Sequence, residues 1–436
     1  MSPSDTALAG WATAEFTPPT PCWMGGYAAR TLPAESTHDG LFAHAFALGG
    51  PSAPLVLIVC DVIWVRASLV AAVRERIHES IPDATVWVSA THTHSGPDTG
   101  GQVLASPHAR DEALEARIIT ACAQAATAAV RHMRQVRFAW ATGEITGVAT
   151  NRDHPDASAE VELDLLCCYT ADTSSGPDVP VYPTAIFGSF PCHPTVLGAE
   201  NRALTADLPG AFRRHLRALY GPDTWVSIAT GAAADISTRH IRRQQSFDEL
   251  DRLAEVFVRQ ALVLIDAAKP LSVTHPRPQS ALVELDRKEL PPRATLERQE
   301  CVLQSRLVVE RAAGHLSEAR TLETTLQGLH GMARLADVLP NLDLRVEIVA
   351  AEAGRFRLVG IPGELYNRLG TEIRHASTYP TLLLGYTNGY IGYLPTREAY
   401  EQMDYEVLMS PHAPGSGEHV RDVACALLGS RKAVRF

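Results

Sequence analysis

The sequence predicts an α/β fold: mixed β-sheets flanked by helices, with a helical-hairpin insertion near residues 291–339. Three observations predict it. Short unbroken apolar runs of strand length, such as Leu55–Cys60 and Thr85–Ala90, alternate with longer segments whose apolar residues recur at helical spacing. The chain has 436 residues, 46% hydrophobic and 20% charged, the balance of a protein with a large buried core. Between Pro291 and Leu339 the texture changes to Arg, Glu, Leu and Ala at helical period, broken near Gly314, which reads as an antiparallel helix pair.

In chain order, Leu55–Cys60 reads as a strand, Arg66–Ser80 as a helix, and Thr85–Ala90 as a strand followed by a polar loop over Thr91–Ser106. Glu112–Met133 is a long alanine-rich helix. Strands follow at Val136–Thr142, Val161–Tyr169 and Pro183–Phe190. Pro209–Tyr220 is helical with Pro209 and Gly210 in its first turn, Trp225–Ala229 is a strand, and Phe247–Ala267 is a helix. After the helix pair, strands resume at Val346–Ala351 and Phe356–Ile361. A helix over Leu365–Ala376 and a strand at Thr381–Gly385 close the pattern. No internal repeat or low-complexity linker divides the chain, so the expectation is one catalytic domain, 1–436, carrying the hairpin as an insertion that caps a pocket or mediates homo-oligomer contact.

Composition excludes several classes. Net charge is −10, against the basic excess of a nucleic-acid binder. No run of about 18 apolar residues exists, so no stable membrane insertion is expected. The start, MSPSDTALAG, has neither the basic nor the apolar region of a secretory signal. Eight cysteines lie scattered, six of them (Cys60, Cys122, Cys167, Cys168, Cys192 and Cys425) inside apolar runs, with no C-x-x-C pair. Free buried thiols and a cytoplasmic location are expected.

Chemistry concentrates at strand ends. In Thr85–Asp98 a buried strand runs into His92 and His94, spaced i and i+2, which on extended backbone project to one side, beyond the carboxyl end of the strand. His193 follows another strand and sits in Pro191-Cys192-His193-Pro194, where proline restrains the backbone on both sides. A third strand runs through Gly360-Ile361-Pro362-Gly363 into Glu364, read as the start of a helix; the carboxylate serves either the helix dipole or a metal. Two histidines and one carboxylate make a usual catalytic zinc set with a position left for water. A fourth cluster, Gly385–Tyr400 continuing to Tyr405 and Glu406, is rich in tyrosine, suited to a pocket wall and to hydrogen-bonding a developing oxyanion. Asp61, at the end of the first apolar strand, reads either as a turn residue or as a group orienting a ligand histidine.

The order of these pieces resembles the neutral/alkaline, non-lysosomal ceramidase family. The resemblance runs from Ala14-Glu-Phe-Thr-Pro-Pro19, Met24-Gly-Gly-Tyr27 and His38-Asp-Gly-Leu41 through Ala90-Thr-His-Thr-His-Ser-Gly-Pro97, Asn151-Arg152 and Cys192-His-Pro-Thr195. It ends with Pro362-Gly-Glu364 and Asn388-Gly-Tyr-Ile-Gly-Tyr-Leu-Pro-Thr396. The resemblance implies a zinc-dependent amidohydrolase that splits an N-acyl bond through a zinc-bound hydroxide. It implies Zn2+ held by His92, His193, Glu364 and Tyr393, with His94 moving protons and Arg152 and Tyr405 binding the scissile amide. The chain reads as a short form without the family's C-terminal immunoglobulin-like domain, and Gly231–Ser237 follows the family's loop only loosely, so the expected substrate is a small-molecule or lipid-like N-acyl compound rather than ceramide alone. A zinc-dependent ester or lactone hydrolase and a non-catalytic structural relative are the competing readings. A serine hydrolase at Ser95 lacks the G-x-S-x-G context.

Overall fold

The computed structural model describes residues 7–100, 110–156, 159–170, 182–402 and 404–429. Part of the loop expected over Thr91–Ser106, residues 101–106, lies outside the described residues. The architecture is a mixed α/β one, as predicted: a nine-stranded sheet, a four-stranded sheet and flanking helices. The large sheet contains the strands Leu55–Cys60 and Thr85–Ala90 as a parallel pair, and Ala185–Phe190 and Trp225–Thr230 as another. Antiparallel strands join the two pairs, among them Ala7–Glu15 and Phe42–Gly49. The small sheet holds Arg277–Glu284, Arg345–Ala353, Phe356–Gly360 and Thr381–Leu384.

The two sheets face each other across one apolar cluster. Phe46, Leu57, Trp87, Phe187 and Trp225 of the large sheet meet Val349, Ala351, Phe356, Leu358 and Leu382 of the small one. Helices Ala67–His78 and Glu112–Arg131 cover one part of the large sheet's outer face, and Asp207–Tyr220 and Phe247–Asp266 another. Helices Asn367–Ala376 and Ser416–Leu427 cover the small sheet. Strands buried on both faces explain the continuous apolar runs in the sequence.

The helix pair forms as expected, Arg293–Ala313 and Leu316–Val338, and Gly314 ends the first helix in a left-handed conformation (φ 78°). It packs through Leu296, Leu329 and Met332 onto Leu408 in the short helix Tyr405–Met409. One expectation needs correction. Glu364 does not open a helix: it lies in a two-residue strand paired in parallel with Tyr393–Leu394, and the helix starts at Asn367. The stretch Thr91–Pro97 forms a loop, as expected, and every residue in it is buried. Among elements of eight residues or more, four escaped the pattern: Ala7–Glu15 and Phe42–Gly49, too rich in alanine and glycine to read as strands; the largely exposed edge strand Arg277–Glu284; and the helix Ser416–Leu427.

The segment after the Thr381–Leu384 strand closes the gap between the edges of the large sheet. Gly385 N donates to Thr230 O (2.9 Å), Ala90 N to Tyr386 O (3.3 Å) and Asn388 N to Val88 O (2.7 Å). Tyr386 and Asn388 take positive φ (53° and 62°) to make this crossing. The crossing ties the end of the Thr381–Leu384 strand to those of Trp225–Thr230 and Thr85–Ala90.

Candidate metal centre

Three strand ends deliver the polar groups of this site. His92 follows Thr85–Ala90 at φ 61°, a conformation that non-glycine residues seldom take and that here turns the ring inward. Its Nδ1 lies 2.7 Å from the Ile63 carbonyl, and its ring stacks on Tyr386 at 4.1 Å. His193 follows Ala185–Phe190, with Nδ1 2.6 Å from the Ala233 carbonyl. Glu364 follows Phe356–Gly360. Its Oε2 is 2.9 Å from His193 Nε2 and 3.4 Å from His92 Nε2. Tyr390 Oη donates to Glu364 Oε1 (2.5 Å) and Tyr386 Oη to Oε2 (3.3 Å). His94 Nε2 lies 3.3 Å from His92 Nε2. All four side chains are at least nine-tenths buried.

A carbonyl only accepts, so Nδ1 carries the proton in His92 and His193, and Nε2 of each neutral ring presents a lone pair. Burial, first among the causes, lowers the His92 pKa to about 3 and those of His94 and His193 well below the ordinary value. His193 Nε2, without a hydrogen-bond partner among the described residues, thus sets a lone pair against a carboxylate oxygen, and His92 Nε2 sets another that, besides Glu364, only His94 Nε2 approaches, an arrangement of acceptors that favours a cation among them. Tetrahedral bonds of about 2.0–2.2 Å put neighbouring ligand atoms roughly 3.3–3.6 Å apart; Glu364 Oε2 stands 3.4 Å from His92 Nε2, within that range, and 2.9 Å from His193 Nε2, somewhat closer. The ring nitrogens of His92, His94 and His193 all lie within 4.8 Å of one another.

The remaining predicted residues lie next to this group. Tyr393 is the register partner of Glu364, and its hydroxyl is 3.3 Å from Arg152 Nη2. Burial, then the Glu364 charge, raises the Tyr393 pKa. Arg152, also buried, is ion-paired with Glu406; burial, the largest influence, pulls its pKa down, but Glu406, Tyr393 and Asp153 together outweigh it and raise it. Tyr405 meets Tyr393 edge-on, with ring centroids 6.1 Å apart.

Asp61 has no part in orienting the histidines. Arg213 grips it with two bonds (3.0 and 2.7 Å) and Phe42 N adds a third, while the carbonyls of Ile63 and Ala233 do the orienting. Sequence reasoning also missed the tyrosines that hold Glu364 and the partner of Arg152. Tyr386, Tyr390 and Glu406 stand within or beside the tyrosine-rich cluster, which was the only available signal for them.

The fold defines the class first: a two-sheet mixed α/β protein with a buried imidazole and carboxylate cluster at its strand ends whose residues could hold a metal ion. Solved structures narrow the fold. The chain is similar to neutral ceramidase from Pseudomonas aeruginosa, at 17% identity and a TM-score of 0.73, over 97% of this chain and 74% of that one. It is equally similar to a ceramidase complexed with C2, at 16% identity and a TM-score of 0.74, over 99% and 76% of the respective chains. The fold is therefore ceramidase-like. No protein-family model matches the sequence, and no curated protein does.

Proposed function

We propose that this chain is a zinc-dependent hydrolase that cleaves the amide bond of an N-acylated small molecule or lipid-like substrate, of which ceramide is one candidate. The reading rests above all on the Nε2 lone pairs of His92 and His193 set against Glu364 Oε2. His92, His193, Glu364 and Tyr393 are the residues that would hold the ion. Bound zinc supplies Lewis acidity toward a carbonyl oxygen and makes water nucleophilic near neutral pH. Tyr390 and Tyr386 donate to the Glu364 carboxylate and fix its orientation. The Arg152 guanidinium and the Tyr405 hydroxyl donate to the amide oxygen as it gains charge, with Glu406 holding the guanidinium in place. His94 Nε2, beside His92, carries a proton to the departing nitrogen.

The hairpin's seat on the Tyr405–Met409 helix supports its reading as an insertion in one catalytic unit. Eight cysteines without a disulfide, six of them buried, support a cytoplasmic placement. Among the described residues no helix is long and apolar enough to cross a membrane.

The test is metal analysis of the purified protein with turnover of matched N-acyl amides and esters. About one zinc per chain and chelator-sensitive amide hydrolysis are expected. Full amide hydrolysis by metal-free protein overturns the reading, and turnover of esters alone replaces it with an esterase.

A further inference from the structure

One segment touches both histidine-bearing loops. Residues 22–34 form a closed loop whose ends are pinned by reciprocal backbone bonds, Cys22 N to Ala34 O (3.2 Å) and Ala34 N to Cys22 O (2.8 Å). The loop lies against the stretch that carries His94. Gly25 N donates to Gly96 O (3.2 Å), Asp98 N to Trp23 O (2.8 Å), and Arg30 Nη1 to the carbonyls of His94 (2.8 Å) and Gly25 (2.9 Å). At its tip the Tyr27 hydroxyl donates to the Leu197 carbonyl (2.6 Å), four residues past His193.

The three histidines are aimed in different ways. His92 and His193 each spend Nδ1 on a backbone carbonyl. His94 has no such anchor: its buried Nδ1 finds no hydrogen-bond partner among the described residues. Packing holds it instead. The Tyr27 ring stands edge-on to the imidazole at 4.8 Å. Gly26, at φ 101°, passes so close that a Cβ there would lie 2.5 Å from His94 Nδ1 and 2.6 Å from Cγ. Only glycine meets both demands, the left-handed backbone and the close approach.

We propose that Gly26 and Tyr27 are positioning residues for His94: they wedge its imidazole so that Nε2 stays beside His92 Nε2. The catalytic consequence rests on the amide-hydrolase reading above; the positional claim stands without it. A displacement of about 1 Å at a proton-transferring group costs on the order of 100-fold in rate. In the zinc-loaded protein, Gly26→Ala is therefore expected to lower kcat about 100-fold with KM and zinc content nearly unchanged, and Tyr27→Ala somewhat less. Tyr27→Phe keeps the ring and restores most of the rate. In a His94→Ala background both substitutions lose their effect, because residues that act through one group are non-additive.

A second readout needs no turnover. In histidine-labelled protein, the His94 ring resonance shifts in Gly26→Ala and Tyr27→Ala, while that of His44 stays in place. Equal losses with and without His94, or an unmoved His94 resonance, overturn the proposal. If the wild type hydrolyses no amide, the functional reading fails and the resonances alone decide. If Gly26→Ala does not fold, Tyr27→Ala carries the same test.

Discussion

Two buried polar clusters sit in this protein, and they are built oppositely. Around Asp61 the donors to the carboxylate match, Arg213 donating twice and Phe42 N once, while His44 Nε2, 3.6 Å away, makes no hydrogen bond. Around Glu364 the tyrosine donors match, but the two nearest imidazoles bring lone pairs. Both carboxylates are about equally buried. A satisfied buried network stabilises a fold, whereas an unsatisfied one marks a place where something else binds. The contrast separates structure from function better than burial or residue type does, since both clusters contain histidine and a carboxylate.

The largest effect expected from this contrast is at the centre. Glu364→Ala or His193→Ala removes metal and all measurable hydrolysis, a loss beyond about 10⁴-fold, in protein that still folds. Metal analysis and circular dichroism check it, and a Glu364→Ala protein with full zinc content breaks the contrast. The Asp61 cluster responds in stability instead. Arg213→Met strands a buried carboxylate and is expected to cost about 3–5 kcal/mol in denaturant unfolding, with zinc per folded chain unchanged.

A pH effect comes next. Burial, with help from Arg213, lowers the His44 pKa to about 4, against about 6.5 in the unfolded chain. The folded state then binds fewer protons between those values. This contribution to stability is complete above pH 6.5 and is lost as pH falls toward 4, a few kcal/mol at most. His44→Asn should flatten the acid limb of stability against pH, and an unchanged slope sinks the assignment. The smallest effect is at the support of Glu364. Tyr390→Phe removes one donor from Glu364 and is expected to weaken zinc binding about 10- to 100-fold while leaving the fold intact, measured by competition with a chelating dye.

Much of the centre was legible because each of His92, His193 and Glu364 ends an apolar strand, and strand ends are where an α/β sheet exposes side chains to a ligand. The roles of the neighbours were not legible. Asp61 also ends an apolar strand, yet a helix brings Arg213 to it. Glu364 looks like a helix-start acid, yet it pairs with a strand formed 29 residues later, at Tyr393. Tyr386 and Tyr390 stand in a cluster of tyrosines, and nothing local distinguishes those two as the donors to Glu364.

The sequence by itself determined the alternation of strand and helix, the hairpin broken at Gly314, and the few strand ends able to carry chemistry. Periodicity and turn residues act over a few neighbours, and a chain records them locally. Only the tertiary structure decided which carboxylate meets imidazoles and which meets a guanidinium. That choice depends on contacts between residues as far apart as His92 and Glu364, and on which lone pairs the backbone carbonyls leave free.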